Sequence, residues 1–227
     1  MKLTIMGASG LIGSKAVDLL TAAGHQVVAA SRATGVDVLT GEGLADALAG
    51  ADVVVDVTNS PSFEDDPVLQ FFTTSAANLT AAAKAAGVGH YVALSIVGVD
   101  ELPESGYMRA KVAQEQLIAT SGLPYSIVRA TQFEEFTDAI VSGLTDGDTV
   151  RVPDALIQPI AANDVAAEVV RVSLGTPLNR FEDIGGPEQL TFAELARRKV
   201  PDKTVVVDPA ATYFGTALAE TSLVVTD

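Results

Sequence analysis

The order of apolar and polar positions divides the first part of the chain into alternating strands and helices. Short continuous apolar runs are typical of strands buried in a parallel sheet, whereas apolar positions three and four apart predict helices. Apolar runs predict strands over 2–6, 26–32, 51–57, 90–94 and 125–129, with a brief strand at Asp37 and Val38. Helical spacing predicts helices from the end of a glycine-rich turn at 7–13 to Ala23, over 41–48, from the end of an irregular segment at 62–72 to about 86, and over 106–120. This alternation predicts an α/β fold with a doubly wound parallel sheet.

The pattern is looser after about residue 130. Helices are predicted over 134–144, from a cap at Asn163 and Asp164 to residue 174, and over 192–199. Short strands are predicted at 149–152, 157–161, 180–184 and 205–207. We expect these later elements to form a small part that packs over the carboxyl edge of the sheet and walls a pocket there.

Charge and composition exclude several classes of partner and site. The 227 residues carry 14 basic and 29 acidic side chains, a formal net charge of −15. Nucleic acids and anionic membranes are polyanions, so we expect neither as a partner. The absence of cysteine excludes disulfides and thiol chemistry, and His25 and His90 are too few for a histidine metal site, so no metal is expected. We see no signal peptide and no run near the roughly 18 apolar residues of a membrane span, and expect a cytoplasmic location.

Three glycines between the first strand and the first helix form the first candidate site. In this context a glycine-rich turn points the N-terminus of a helix at its ligand, and the free N–H groups and the helix dipole attract a pyrophosphate. The spacing is Gly-x-x-Gly-x-x-Gly, and the alternative is a tight turn that binds nothing. The candidate dinucleotide-binding residues of this turn are Gly7, Ser9, Gly10, Leu11, Ile12 and Gly13.

The end of the second strand indicates which dinucleotide is bound. A site that prefers NAD(H) carries Asp or Glu here to bind the ribose hydroxyls, whereas this chain has Ser31 and Arg32, which suit a 2′-phosphate. We therefore predict NADP(H) in preference to NAD(H), with an ordinary solvated arginine as the alternative. Thr58 and Asn59 follow the strand at 51–57, where topology places them near the cofactor, although turn chemistry also explains them.

Tyr107 and Lys111 form the second candidate site, since residues four apart share one face of a helix. The helix dipole and the lysine ammonium both favour a phenolate, so we expect Tyr107 to exchange a proton with a substrate oxygen near neutral pH. Ser95 ends the preceding strand and can hydrogen-bond the same oxygen. The alternative is an exposed helix face without chemistry.

These motifs together resemble the atypical short-chain dehydrogenase/reductases, the NmrA-like NAD(P)H-binding group. The resemblance implies a Rossmann fold, with Tyr107 as the acid, Lys111 on the nicotinamide ribose and Ser95 polarising a carbonyl. It also implies that Ala130, Thr131 and Phe133 lie beside the nicotinamide. We expect one domain over 1–227, in which about 1–155 bind the cofactor and about 156–227 supply substrate-side elements. The matching segments are 7–13, Ser31 and Arg32, 107–111 with Glu115, 121–129, 158–160 and 164–166.

Three functions compete on this evidence. The first is an NADPH-dependent oxidoreductase that reduces a small carbonyl or quinone, with Tyr107 as the proton donor. The second is a non-catalytic NADP(H)-sensing regulatory protein. The third, a nucleotide-sugar epimerase or dehydratase, is disfavoured because little chain follows residue 175. Homodimer formation through the helices at about 75–86 and 106–120 is a further expectation, unless both helices simply cover the sheet. The candidate pocket walls are Phe63, Phe133, Phe136 and Tyr213.

Overall fold

A six-stranded parallel sheet forms the centre of the protein, whose structure, a computed structural model, describes residues 1–226. The strands are β1 (Lys2–Met6), β2 (Gln26–Ala30), β3 (Val53–Asp56), β4 (His90–Ile96), β5 (Tyr125–Ala130), β6 (Thr145–Asp146), β7 (Thr149–Val152), β8 (Leu156–Ile157), β9 (Phe181–Ile184), β10 (Leu190–Thr191) and β11 (Thr204–Val207). The helices are α1 (Leu11–Ala22), α2 (Leu44–Leu48), α3 (Asp65–Ala86), α4 (Gly106–Thr120), α5 (Thr137–Gly143), α6 (Ala162–Leu174) and α7 (Phe192–Lys199). The central sheet has the order β2-β1-β3-β4-β5-β9, with every neighbouring pair parallel.

Helices cover both faces of this sheet. Successive side chains of a strand point to opposite sides, so a strand that is apolar throughout needs a packing partner on each face. Val55 of β3 shares a buried cluster with Ile12 of α1 and Val165 of α6. Its neighbour Val54 belongs to a second cluster, which contains Leu79 of α3. The continuous apolar run of β3 is thus buried on both faces, and the predicted Rossmann-type, doubly wound fold is confirmed.

The chain after residue 155 contributes to both parts of the molecule. α6 packs against α1, and β9 extends the central sheet beside β5. The remaining elements build a small part with its own core, which contains Phe192 and Leu223 and also Val99 and Leu102 from the loop after β4. In this part β6, β7 and β11 form one small sheet, and β8 pairs with β10 in another. Elements of this small part and elements packed with the central sheet therefore alternate along this stretch of chain.

α3 begins earlier than the sequence pattern predicts. The segment 62–72 was expected to be irregular, but α3 begins at Asp65, so Phe71 and Phe72 are helical. Two acidic residues stand in its first turn, where the helix dipole favours them, and Pro67 is tolerated there because N–H groups of the first turn have no helical partner. The helix buries Phe72 completely.

Two other local predictions are wrong. Asp37 and Val38 form no strand and lie in an open loop. Asn163 and Asp164 do not cap α6, since they lie inside its first turn after Ala161. The carboxylate of Glu135, distant in sequence, accepts a hydrogen bond from the Ala162 N–H at 3.1 Å and satisfies the helix end instead.

α3 and α4 pack against each other on one side of the sheet. Pairing of two copies through these helices stays a prediction. Within residues 1–226, none of the helices combines the length and the apolar character that crossing a membrane requires.

Candidate active site

A cavity of about 970 Å³ lies at the carboxyl ends of the central strands. In open parallel sheets this edge is where ligands bind. The cavity brings together every candidate site residue predicted from the sequence except Gly13. Those that line it are Gly7, Ser9, Gly10, Leu11, Ile12, Ser31, Arg32, Thr58, Asn59, Ser95, Tyr107, Lys111, Ala130, Thr131 and Phe133.

The glycine turn has the close packing that a dinucleotide site requires. Gly7 has a φ of +83°, and a Cβ built on it would lie 2.8 Å from the Val57 carbonyl oxygen. A Cβ on Gly13 would lie 2.1 Å from the Gly7 carbonyl oxygen, so Gly13 allows α1 to pack on the turn and does not itself line the cavity. Gly10 precedes α1 and has no side chain to cap it. The first N–H groups of α1 therefore have no side-chain cap, and Leu11 and Ile12 of this turn line the cavity, an arrangement that suits an anionic ligand.

The end of the cavity at β2 contains one basic side chain. Arg32 is exposed in a short 3₁₀ turn and makes no ion pair or side-chain hydrogen bond to any residue within 1–226. Asp37 also lines this end, but its carboxylate accepts a hydrogen bond from the Leu39 N–H at 2.7 Å. The wall formed by Asp37, Val38 and Leu39 was missed because this stretch reads as a strand in the sequence.

The Tyr107 hydroxyl donates a hydrogen bond to Asn59 Oδ1 at 2.9 Å. The rings of Phe63 and Phe72 lie 5.3 and 5.8 Å from the tyrosine ring, between centroids. Burial raises the pKa of Tyr107 to about 12, because a phenolate is poorly solvated among these rings. Burial thus outweighs the helix dipole and the lysine charge that were expected to favour the phenolate. Tyr107 stays protonated, which is the form that a proton donor needs.

Lys111 is buried and turns towards the sheet. Its Nζ donates hydrogen bonds to the Leu94 carbonyl oxygen at 2.8 Å and to Gln114 Oε1, and lies 4.5 Å from the centroid of the Phe72 ring. Burial lowers the pKa of Lys111 to about 8, while nearby carboxylates act against this shift. No hydrogen bond within the described chain joins the ammonium to the Tyr107 hydroxyl. Burial thus affects the pKa of Tyr107 and of Lys111 more than the charge of a neighbouring group does. The spacing of the two residues in the sequence had predicted the opposite order of effects.

A buried carboxylate behind Lys111 was missed by sequence reasoning. Asp56 accepts hydrogen bonds from the Tyr91 hydroxyl at 2.9 Å, Gln114 Nε2 at 3.1 Å and the Thr58 hydroxyl at 2.6 Å. Gln114 thereby links the Asp56 carboxylate to the Lys111 ammonium. The Thr58 hydroxyl donates its hydrogen bond to Asp56, a residue of the protein itself. The signals in the sequence were an acid that closes an apolar strand and a glutamine three residues after the lysine.

Two buried polar atoms beside the cavity lack a partner within residues 1–226. They are Ser95 Oγ and Gln132 Oε1. Both residues line the cavity, and a buried polar atom normally has a hydrogen-bond partner. A polar ligand, such as a carboxamide or a carbonyl, fits here. Ser95 lies inside β4 and Gln132 directly after Thr131, whose hydroxyl bonds to the Gln158 carbonyl oxygen.

The buried ammonium should make stability depend on alkaline pH. Lys has a pKa of 10.5 when solvated and about 8 at position 111. Between these values the unfolded chain binds a proton that the folded chain does not. The buried ammonium therefore does not destabilise the fold above pH 10.5, where the lysine is neutral in both states. Its destabilising effect grows as the pH falls from 10.5 to 8. Relative to Lys111→Met, the unfolding free energy of the parent should decrease by about 3 kcal/mol over this range and change no further below it. Urea unfolding of both proteins at several pH values measures this difference. An unfolding free energy that depends on pH in the same way in the parent and in Lys111→Met would contradict the prediction.

Comparison with known proteins identifies the family of this chain. A family model described as NAD(P)H-binding matches residues 7–173, from the first glycine of the turn to the end of α6. The chain belongs to this NAD(P)H-binding family. The match confirms the predicted family resemblance and the predicted nicotinamide cofactor.

Two curated proteins are related to this member of the NAD(P)H-binding family. It is 32% identical over 206 residues to (4-alkanoyl-5-oxo-2,5-dihydrofuran-3-yl)methyl phosphate reductase of Streptomyces griseus, with 84% of this chain and 70% of that protein covered. It is 25% identical over 147 residues to the photosystem II assembly factor Ycf39 of Synechocystis sp., with 59% and 45% covered. The named reductase agrees with the predicted oxidoreductase class, which is confirmed.

Solved structures show the same fold at low identity. The NADP(H) complex of Citrobacter sp. triphenylmethane reductase superposes with a TM-score of 0.68 at 20% identity, over 93% of this chain and 80% of that one. The dTDP-glucose 4,6-dehydratase DesIV of Streptomyces venezuelae, with NAD bound, gives 0.73 at 19%, over 92% and 85%. At these identities the likeness shows the fold alone.

Proposed function

We propose that this protein is an NADPH-dependent reductase of a small, uncharged carbonyl or quinone. The observation that carries the proposal is the protonated Tyr107 hydroxyl, which lines the same cavity as the glycine turn. Ser95 Oγ, buried and without a partner in the described chain, is a second hydroxyl in this cavity. Two hydroxyl donors in one cavity suit a substrate oxygen that becomes more negative as it is reduced.

The cofactor fits the cavity from the glycine turn to β5. The first turn of α1 would hold the pyrophosphate, and Arg32 with Ser31 would bind the 2′-phosphate of NADPH. Ala130, Thr131, Gln132 and Phe133 would lie beside the nicotinamide, with Lys111 near its ribose. When bound, the cofactor supplies the hydride that the reduction requires.

The protein residues supply the proton and position the substrate. Ser95 donates a hydrogen bond to the substrate oxygen, and Tyr107 gives its proton to the same oxygen as the carbon is reduced. A carbonyl thus becomes an alcohol, and the phenolate recovers its proton from solvent. Asn59 orients the tyrosine, because it accepts the hydroxyl hydrogen bond in the resting site.

The substrate end of the cavity favours an uncharged ligand. Arg32 and Lys111 are the basic residues among those described as lining the cavity, and we assign both to the cofactor. Arg109 pairs with Asp65 at the edge, with 2.6 Å between Nη2 and Oδ2. The relative from Streptomyces griseus is named for a phosphate-bearing substrate, and this substrate end offers no comparable cation within residues 1–226. We therefore propose a neutral carbonyl or quinone as the substrate.

An assay of NADPH oxidation at 340 nm with a panel of quinones, aldehydes and ketones tests this function. We expect steady oxidation that requires the added substrate, with quinones among the active compounds. Binding of NADPH without oxidation across the panel would support the sensing alternative. Conversion of a nucleotide sugar with no net oxidation of cofactor would support the epimerase or dehydratase.

A further inference from the structure

The tight turn at residues 213–216 brings two aromatic rings of the C-terminal segment, Tyr213 and Phe214, to the cavity lining. Tyr213 and Thr216 form an antiparallel bridge, with mutual backbone N–H···O distances of 2.8 and 3.1 Å. The two residues between them, Phe214 and Gly215, have positive φ values of 48° and 79°. Positive φ at both central residues is the pattern of a type I′ turn, for which Asn-Gly is a preferred pair.

Phe214 is an unusual residue for this position. The left-handed backbone region is unfavourable for residues with a bulky side chain, whereas Gly and Asn tolerate it. Phe214 also exposes 69% of its surface, so burial in the core does not explain it. Strained residues of this kind persist where the surrounding structure holds them, often at ligand-binding sites. The observed strain therefore suggests a role for the ring.

Contacts with other aromatic side chains hold the Phe214 ring at the cavity. Phe214 lines the cavity and meets Tyr213 edge to face, with 4.6 Å between centroids. Tyr213 in turn packs on the buried ring of Phe192, at 5.9 Å. A chain of aromatic contacts thus connects the exposed ring to the core of the small C-terminal part.

Other exposed rings line the same cavity. Phe63 and Phe136 are 62% and 52% exposed, which is high for large apolar side chains. Phe136 stacks on Phe133 with 5.7 Å between centroids and 22° between planes. With Phe214 they present aromatic surface to a ligand, and the substrate end adds no unpaired charge within the described chain.

We propose that Phe214 is a specificity-determining residue that selects flat, uncharged ring substrates, such as quinones, over small aliphatic carbonyls. This rests on the proposed reductase function, because it concerns the same cavity. The ring contributes binding surface to a planar substrate by stacking or edge contact. The strained turn holds the ring in place at the expense of folding stability.

The test compares Phe214→Asn with Phe214→Tyr, which keeps the ring, and with Val207→Asn, which changes an exposed apolar residue on β11 away from the cavity. Binding of 1,4-naphthoquinone to the protein saturated with NADP⁺ is measured by calorimetry, and the chain has no cysteine for the quinone to modify. KM values for naphthoquinone and for butanal are measured in parallel.

Phe214→Asn should weaken naphthoquinone binding and raise its KM roughly 5- to 30-fold, with little change for butanal. It should also raise Tm by about 2–4 °C, because Asn-Gly relieves the turn. Phe214→Tyr and Val207→Asn should bind naphthoquinone like the parent. If Phe214→Asn lost activity through poor folding, its Tm would fall. A rise in Tm together with weaker binding therefore indicates a lost binding contact and not a damaged fold.

Two outcomes separate this inference from the proposed function. If the parent reduces naphthoquinone and Phe214→Asn does so with the same KM, the inference is wrong and the reductase function stands. If the parent binds naphthoquinone without reducing it, and Phe214→Asn binds it more weakly, Phe214 is a binding determinant and the reductase function is wrong. A lower Tm for Phe214→Asn would overturn the assignment of strain to this turn.

Discussion

Replacing Tyr107 with phenylalanine should lower turnover roughly 10²–10⁴-fold, the usual contribution of a positioned general acid. NADPH affinity should stay near the parental value, because only one hydroxyl is removed and in the resting site it bonds to the Asn59 side chain. The half-buried Tyr125 at the start of β5 does not line the cavity, so Tyr125→Phe is the matched control. Parental turnover in Tyr107→Phe would show that the proton comes from elsewhere.

The pH dependence of this variant is also informative. With a pKa of about 12, Tyr107 remains protonated through the usual assay range. A change in turnover near pH 8 should therefore arise from Lys111, whose pKa is about 8. We expect that change to persist in Tyr107→Phe and to disappear in Lys111→Met. Its loss in Tyr107→Phe alone would assign it to the tyrosine and contradict the burial argument.

Replacing Arg32 with alanine should weaken NADPH binding roughly 10- to 150-fold and leave NADH binding nearly unchanged. A charge-assisted contact to a phosphate contributes roughly 1.5–3 kcal/mol, and each 1.4 kcal/mol corresponds to a factor of about ten. Arg32 has no partner within the described chain, so its loss removes a ligand contact and not an internal ion pair.

Dissociation constants for both cofactors, measured by calorimetry, test this preference. Arg197, exposed on α7 and absent from the cavity lining, provides the control variant Arg197→Ala. Equal affinities for NADPH and NADH in the parent would contradict the predicted preference before any substitution is made.

The sequence by itself determined the features that depend on local chain order. A buried strand, a glycine turn and a helix are contiguous, so their pattern predicts both the Rossmann-type sheet and a cavity beside the turn at its edge. Gly7 shows the reason, because its positive φ is a property of the turn itself. Parallel strands also bring their carboxyl ends to one edge, so Asn59, Ser95 and Thr131 could be placed together from the order of elements.

Only the tertiary structure decided how these groups behave chemically. The pKa of Tyr107 follows from burial beside Phe63 and Phe72, and the direction of Lys111 follows from Gln114 and the carboxylate of Asp56. These partners come from separate strands and helices. The spacing of residues along one helix therefore does not predict how much solvent the packing removes from each group. The same reason applies to the C-terminal turn, whose ring reaches the cavity only because the last part of the chain folds back over the sheet edge.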